Sequence, residues 1–164
     1  MPDGDLHPED DPRGLLIFEV SGGGYALPVT SVVEILPLME PVAVPGWPEY
    51  GLGIFELRGE PLPLMDVRAA LGRAGRPPSP SQLVLVIEAL GRRCGVVVDA
   101  VHDVASREVR AYEGIAPSEI LPRSELSDGV SASDDGTVIV LTPDGLLRKL
   151  QLPAAQPESG KEAG

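Results

Sequence analysis

Two stretches of this chain decide its fold when one is laid over the other: residues 15–35, LLIFEVSGGGYALPVTSVVEI, and residues 84–104, VLVIEALGRRCGVVVDAVHDV. At this offset of 69, Leu16, Glu19, Gly22, Val29 and Val32 fall on Leu85, Glu88, Gly91, Val98 and Val101, and Glu34-Ile35 falls on Asp103-Val104. Each stretch is an apolar run, a turn, and a second apolar run, which reads as a β-hairpin. Further on, residues 58–71, RGEPLPLMDVRAAL, lie over residues 135–148, DGTVIVLTPDGLLR, at an offset of 77. The order of elements therefore repeats: hairpin, turn, short strand, then a second hairpin leading into a short helix. A repeated supersecondary order is stronger than the five identities alone.

Outward from these stretches, apolar runs of four to seven residues alternate with Gly/Pro turns. Leu15–Val20, Tyr25–Pro28, Gly53–Leu57, Leu62–Met65, Leu83–Ala89, Gly95–Asp99, Gly129–Ala132 and Thr137–Leu141 read as strands. Hairpin turns fall at Ser21-Gly22-Gly23-Gly24, Leu90-Gly91-Arg92-Arg93 and Asp134-Asp135-Gly136. Valine and isoleucine outnumber leucine, as suits pleated surfaces. Trp47–Leu52 and Asp66–Leu71 are helix candidates, and Thr142-Pro143-Asp144 reads as an N-cap with proline at the first helical position. The expected architecture is mostly β: two packed, five-stranded, SH3-like barrels with a few short helices. The first is expected over about 14–72 and the second over about 82–152, with Gly72–Ser81, GRAGRPPSPS, as the joint. Residues 1–13 and 153–164 have no periodic apolar pattern and read as flexible tails, the first of them acidic.

Glycine (19) and proline (18) are abundant in the 164 residues, yet the apolar content suffices for a core, so the punctuation belongs to turns. The formal charge is −12, of which the tails hold about five units. An acidic surface has no footprint for phosphate backbones or anionic lipid, which argues against nucleic acid and the membrane face as partners. No apolar run reaches the ~18 residues of a membrane span, and the N-terminus has no signal-peptide pattern. One cysteine, Cys94, provides neither a disulfide framework nor a thiolate metal site, and cytoplasm is the expected compartment.

No constellation suited to catalysis or to a cofactor emerges. Gly22-Gly23-Gly24 and Gly51-Leu52-Gly53 are not followed by the helix or Gly-Lys-Ser/Thr that a phosphate loop requires. His102 stands beside Asp103 with no second metal ligand near in sequence, and reads as a surface residue. Arg92 and Arg93 beside Cys94 would lower a thiol pKa; burial as a small core residue is the competing reading. What remains is Glu34 and the run Glu56-Leu57-Arg58-Gly59, where an arginine at a strand end, on a barrel rim, is placed to pair with Glu34. On residues alone, an ordinary exposed ion pair explains the same pattern.

At these residues the chain resembles the CheW-like domain, the coupling protein of bacterial chemotaxis arrays. The resemblance is carried by Tyr25-Ala26-Leu27-Pro28-Val29, Val32-Val33-Glu34-Ile35, Val44-Pro45-Gly46-Trp47-Pro48 and, most specifically, residues 53–68, GIFELRGEPLPLMDVR. Strands Leu85-Val86-Ile87-Glu88, Gly95–Val101 and Val138–Leu141 continue it through the second half. The resemblance implies a non-enzymatic scaffold that binds the cytoplasmic tip of a chemoreceptor and the regulatory domain of a CheA-type histidine kinase. It also implies that Glu34, Arg58 and Gly59 belong to the receptor-facing rim and that Glu34 pairs with Arg58. Two departures stand out: Glu56 occupies a position usually held by Asn, adding negative charge beside the rim, and Thr142-Pro143 stands where Leu-Asp is common. Rival readings are a CheW-like module serving twitching, gliding or developmental signalling, and a small-molecule-binding β-barrel.

Overall fold

A computed structural model describes residues 12–73, 77–110, 126–133 and 136–151; the two expected tails lie outside them, apart from residues 12 and 13. The first half of the chain builds β1 (Pro12–Val20), β2 (Gly23–Pro28), a single 3₁₀ turn, β3 (Val32–Pro37), β4 (Gly51–Leu57), β5 (Glu60–Met65) and α1 (Val67–Ala70). The second half repeats it with β6 (Leu83–Ala89), β7 (Arg92–Val98), β8 (Ala100–Glu108), β9 (Ser127–Ser133), β10 (Gly136–Leu141) and α2 (Pro143–Gln151).

The strands form two five-stranded sheets, ordered β8-β1-β2-β10-β9 and β3-β6-β7-β5-β4. The strand pairing corrects the expected division at residues 72–82. Each half gives its first hairpin to one sheet and its remaining three strands to the other. Advancing every label in the first sheet by five, cyclically, reproduces the order of the second. The chain is thus two halves that have exchanged hairpins, and neither sheet can form without strands from both.

The correspondence extends to individual bonds. A register shift separates Val32 from Glu34 on β3, and the same shift recurs opposite Val101 and Asp103 on β8. Both first hairpins turn on two residues with positive φ, Ser21-Gly22 (51°, 81°) and Leu90-Gly91 (54°, 70°), so the turns are tighter than the four-residue loops expected. Asp66 N donates to Tyr50 O and Thr142 N to Leu126 O, at 2.8 and 2.9 Å. These bonds set the offset of the second repeat at 76, one less than the residue-by-residue overlay, and bring the two helix caps into register. At α1 the Asp66 carboxylate accepts from the backbone N–H of Arg68 and Ala69.

Burial explains why the first hairpins carry unbroken apolar runs. On β1, Leu16, Phe18 and Val20 enter a central cluster shared by both sheets, while Leu15 and Ile17 enter a smaller cluster with Ala26, Val138 and Val140. On β6, Leu85 and Ile87 join the shared cluster, and Val84 and Val86 pack with Phe55, Leu62 and Leu64. A strand buried on both faces has no polar alternation to show. Leu146, Leu147 and Leu150 of α2 close the shared cluster.

Three segments differ from expectation. Trp47–Leu52 is not a helix: Gly51 N closes a turn onto Pro48 O at 2.9 Å and then begins β4 beneath the Trp47 ring, which an added Cβ would meet at 2.6 Å. Residues 32–37 and 100–108 are full edge strands; outside the ladder they alternate or carry charge, and no apolar run marks them.

Candidate functional site

Glu34 lies on β3, one edge of its sheet, among residues that alternate between half-buried and exposed. Its side chain points to the same side as Val32 and Leu36, while Val33 and Ile35 project outward at 42% and 44% exposure. An inward-pointing charge on an edge strand discourages pairing with a further strand, but it requires a counter-charge. That charge arrives from the other side of the sheet. The β4–β5 turn consists of Arg58 and Gly59, and Arg58 donates from Nη1 to Glu34 Oε1 at 3.0 Å and from Nη2 to Glu34 Oε2 at 2.5 Å. The contact is a two-pronged guanidinium–carboxylate pair, with Arg58 64% exposed and Glu34 22% exposed.

Backbone geometry sets the pair's position. Arg58 has φ 50° and Gly59 φ 84°, the two left-handed positions of a type I′ turn. Glycine, asparagine or aspartate occupies the first of these at least cost. An arginine there is held against local preference, as Ser21 and Leu90 are at the same position of the two first-hairpin turns. Gly59 supplies the second left-handed residue, as its place in the motif requires.

The electrostatics agree with the geometry. The Arg58 hydrogen bonds hold the Glu34 carboxyl below the usual carboxylate value, outweighing partial desolvation, with the charge of Arg93 adding a smaller pull. Arg58 in turn is raised by Glu34. Arg93, on β7, pairs across its hairpin with Glu88 at 3.2 Å and lines the same shallow cleft as Arg58. Arg93 is a further rim residue that the family motif does not mark; its cross-strand placement opposite Glu88 is the signal for it in the sequence. Glu56 is exposed on β4 and lines a separate apolar cleft with Glu40, Val42, Val44, Ile54 and Pro61, so the structure does not bring it to the Glu34–Arg58 pair.

The other chemical candidates resolve plainly. Cys94 is buried and its thiol is pushed up to about 12 by desolvation, so the neighbouring arginines do not activate it. His102 pairs with Glu19 of β1 at 3.2 Å, not with adjacent Asp103. Among the described residues no group of three or more His, Cys, Asp or Glu is arranged to hold a metal, and no helix is long and apolar enough to cross a membrane.

Two interlocked five-stranded sheets with few helices define a β module of the SH3-like type. The family model of the CheW-like domain matches residues 14–151, and the chain belongs to that family. It is 26% identical to a probable chemotaxis protein CheW of Rhizobium etli over 87% of this chain and 92% of the relative. The crystal structure of the scaffolding protein TtCheW from Thermoanaerobacter tengcongensis superposes with a TM-score of 0.69 at 25% identity, over 80% of this chain and 89% of that one. Protein PilI of Pseudomonas aeruginosa is 32% identical over 66% of this chain and 58% of its own length. The chain is a chemotaxis coupling adaptor of the CheW type.

Proposed function

We propose that this adaptor is non-enzymatic and cytoplasmic, and that it joins a chemoreceptor's cytoplasmic tip to the regulatory domain of a CheA-type histidine kinase. We also propose that the rim formed by Glu34, Arg58 and Gly59 faces the receptor. The observation that carries this reading is the left-handed Arg58, whose guanidinium is fixed by both oxygens of Glu34 and remains mostly exposed. A fixed, solvent-facing guanidinium keeps donors free for a partner while losing little conformational freedom on binding. Glu56, on β4 two residues before Arg58, faces a separate apolar cleft, and any influence of its charge on partner choice acts from there.

The test is reconstitution of receptor cytoplasmic fragments, a CheA-type kinase and this protein, with autophosphorylation as the readout. Arg58→Asn keeps the turn geometry and removes the guanidinium. The expected result is an unchanged fold and a loss of receptor-dependent kinase activation. Full activation by Arg58→Asn would remove this rim from the reading. The similarity to a protein named PilI favours keeping a second circuit apart, in which the same rim serves twitching, gliding or developmental signalling. Which receptor tip co-sediments with the protein separates the two.

A further inference from the structure

The exchange of hairpins gives the rim a counterpart on the other sheet, and the two are chemically opposite. In the sheet holding β3, the carboxylates of Glu34 and Glu88 are met by Arg58 and Arg93. Their counterparts at an offset of 69 are Asp103 on β8 and Glu19 on β1, so both carboxylates are retained. Neither arginine is. Gly24 stands at the position of Arg93, and the sequence has Asp134 where the first half has Arg58. Beside Gly24 lies an open cleft of about 530 Å³ whose lining includes Gly22, Gly23, Glu19, His102 and Asp103.

Among the described residues, the basic side chains lining this cleft, His102 and Arg107, already have partners. His102 is the partner of Glu19. Arg107 lines the far wall, where its Nη2 donates to Ser131 O at 3.3 Å and Gly136 O at 3.4 Å, tying the two edges of its sheet together. Four residues along a strand separate Arg107 from Asp103, roughly 13 Å. Asp103 is exposed and makes no ion pair among the described residues.

We propose that this cleft is a docking site for an arginine carried on a tight turn of a partner protein, with Asp103 as its bidentate acceptor. The molecule itself supplies the template, since the corresponding carboxylate in the other sheet is filled by an arginine delivered from a two-residue turn. Guanidinium fits better than ammonium because two parallel donors meet a carboxylate in one plane. The chain's charge of −12 favours the approach of a basic partner. The inference rests on the internal repeat and needs neither the receptor nor the kinase.

The probe is a backbone-cyclised peptide displaying Arg-Gly at its turn between neutral flanks, with versions carrying citrulline or lysine in place of the arginine. Each is titrated into the full ¹⁵N-labelled protein, and amide shifts are followed. The arginine peptide is expected to move Gly22, Gly23, Gly24, His102 and Asp103, with at least tenfold weaker binding by the citrulline version and several-fold weaker by the lysine version. Asp103→Asn, at an exposed position, is expected to weaken arginine-peptide binding at least tenfold with an otherwise native spectrum, and Glu34→Gln to leave it unchanged. Absence of shifts, equal binding of the citrulline or lysine peptide, undiminished binding by Asp103→Asn, or shifts centred on Glu34 would each overturn the assignment.

Discussion

Replacing Gly53 by alanine tests the architecture that carries Arg58. Gly53 has φ 131°, a region essentially reserved for glycine, and sits where the β4–β5 ladder shifts register between Gly51 and Gly53. A Cβ there would stand 2.6 Å from the Val42 carbonyl oxygen and 3.0 Å from the carbonyl carbon. These are backbone atoms, held by a two-way bridge in which Val42 N donates to Ile54 O at 2.8 Å and Ile54 N to Val42 O at 3.0 Å. Relief therefore requires opening the bridge, at about 1 kcal/mol net per hydrogen bond. The backbone conformation adds about 1–3 kcal/mol. Together they predict a loss of about 3–5 kcal/mol, a large fraction of a typical domain's stability.

Gly136 provides the internal control. Its φ is 125°, almost the same, but a Cβ there meets nothing within 4 Å. Gly136→Ala should therefore incur only the conformational cost of about 1–3 kcal/mol, leaving a difference of about 2 kcal/mol between the variants. Urea denaturation with a constant m-value measures both. In thermal melts, at about 2–4 °C per kcal/mol for a protein of this size, Gly53→Ala should fall by roughly 6–20 °C. If Gly53→Ala proves no worse than Gly136→Ala, the close approach of the Val42 segment to β4 is wrong.

Three further outcomes are expected. Leu90→Asn, replacing a left-handed leucine that is already 47% exposed, should stabilise the protein by roughly 1 kcal/mol, seen as a higher urea midpoint; a lower midpoint would contradict the turn assignment. Glu34 should titrate below its ordinary value of 4.5 by carboxyl NMR and return towards it in Arg58→Gln. Since the folded-state pKa is depressed, the stabilisation from this pair is present above 4.5 and lost as pH falls through the folded value. Cys94 should resist thiol reagents at pH 8 in the native protein and react at once in denaturant, because burial keeps it protonated; fast native reaction would place it at the surface.

Much of this molecule was readable from its residues because the information was local. The two first-hairpin turns, the Asp66 cap and the start of α2 depend on neighbours in sequence, and the side-chain preferences that mark them act over a few residues; the turn expected at Asp134-Asp135-Gly136 lies outside the described residues except for Gly136. The repeat was visible because both halves solve the same packing problem, and the Glu34–Arg58 pairing was implied by the family resemblance. The edge strands were harder. Val32–Pro37 and Ala100–Glu108 make ladder bonds on one side only, so their composition records solvent as much as sheet. Trp47–Leu52, with Pro48 and Gly51 inside it, forms a turn closed by Gly51 N onto Pro48 O, with Gly51 lying against the Trp47 ring.

From sequence alone came ten short strands in two similar sets, a CheW-like pattern over nearly the whole ordered chain, and an arginine to test. Tertiary structure alone revealed that the sets exchange their first hairpins. Nothing local says that β1, already paired with β2, takes β8 as its second neighbour and not a strand of its own half, since that β-pairing is a long-range choice made by the shared core. The same pairing sets Asp103, which the sequence repeat matches to Glu34, beside a cleft whose lining arginine, Arg107, is bonded to backbone carbonyls, a proximity that exists only once β8 lies against β1.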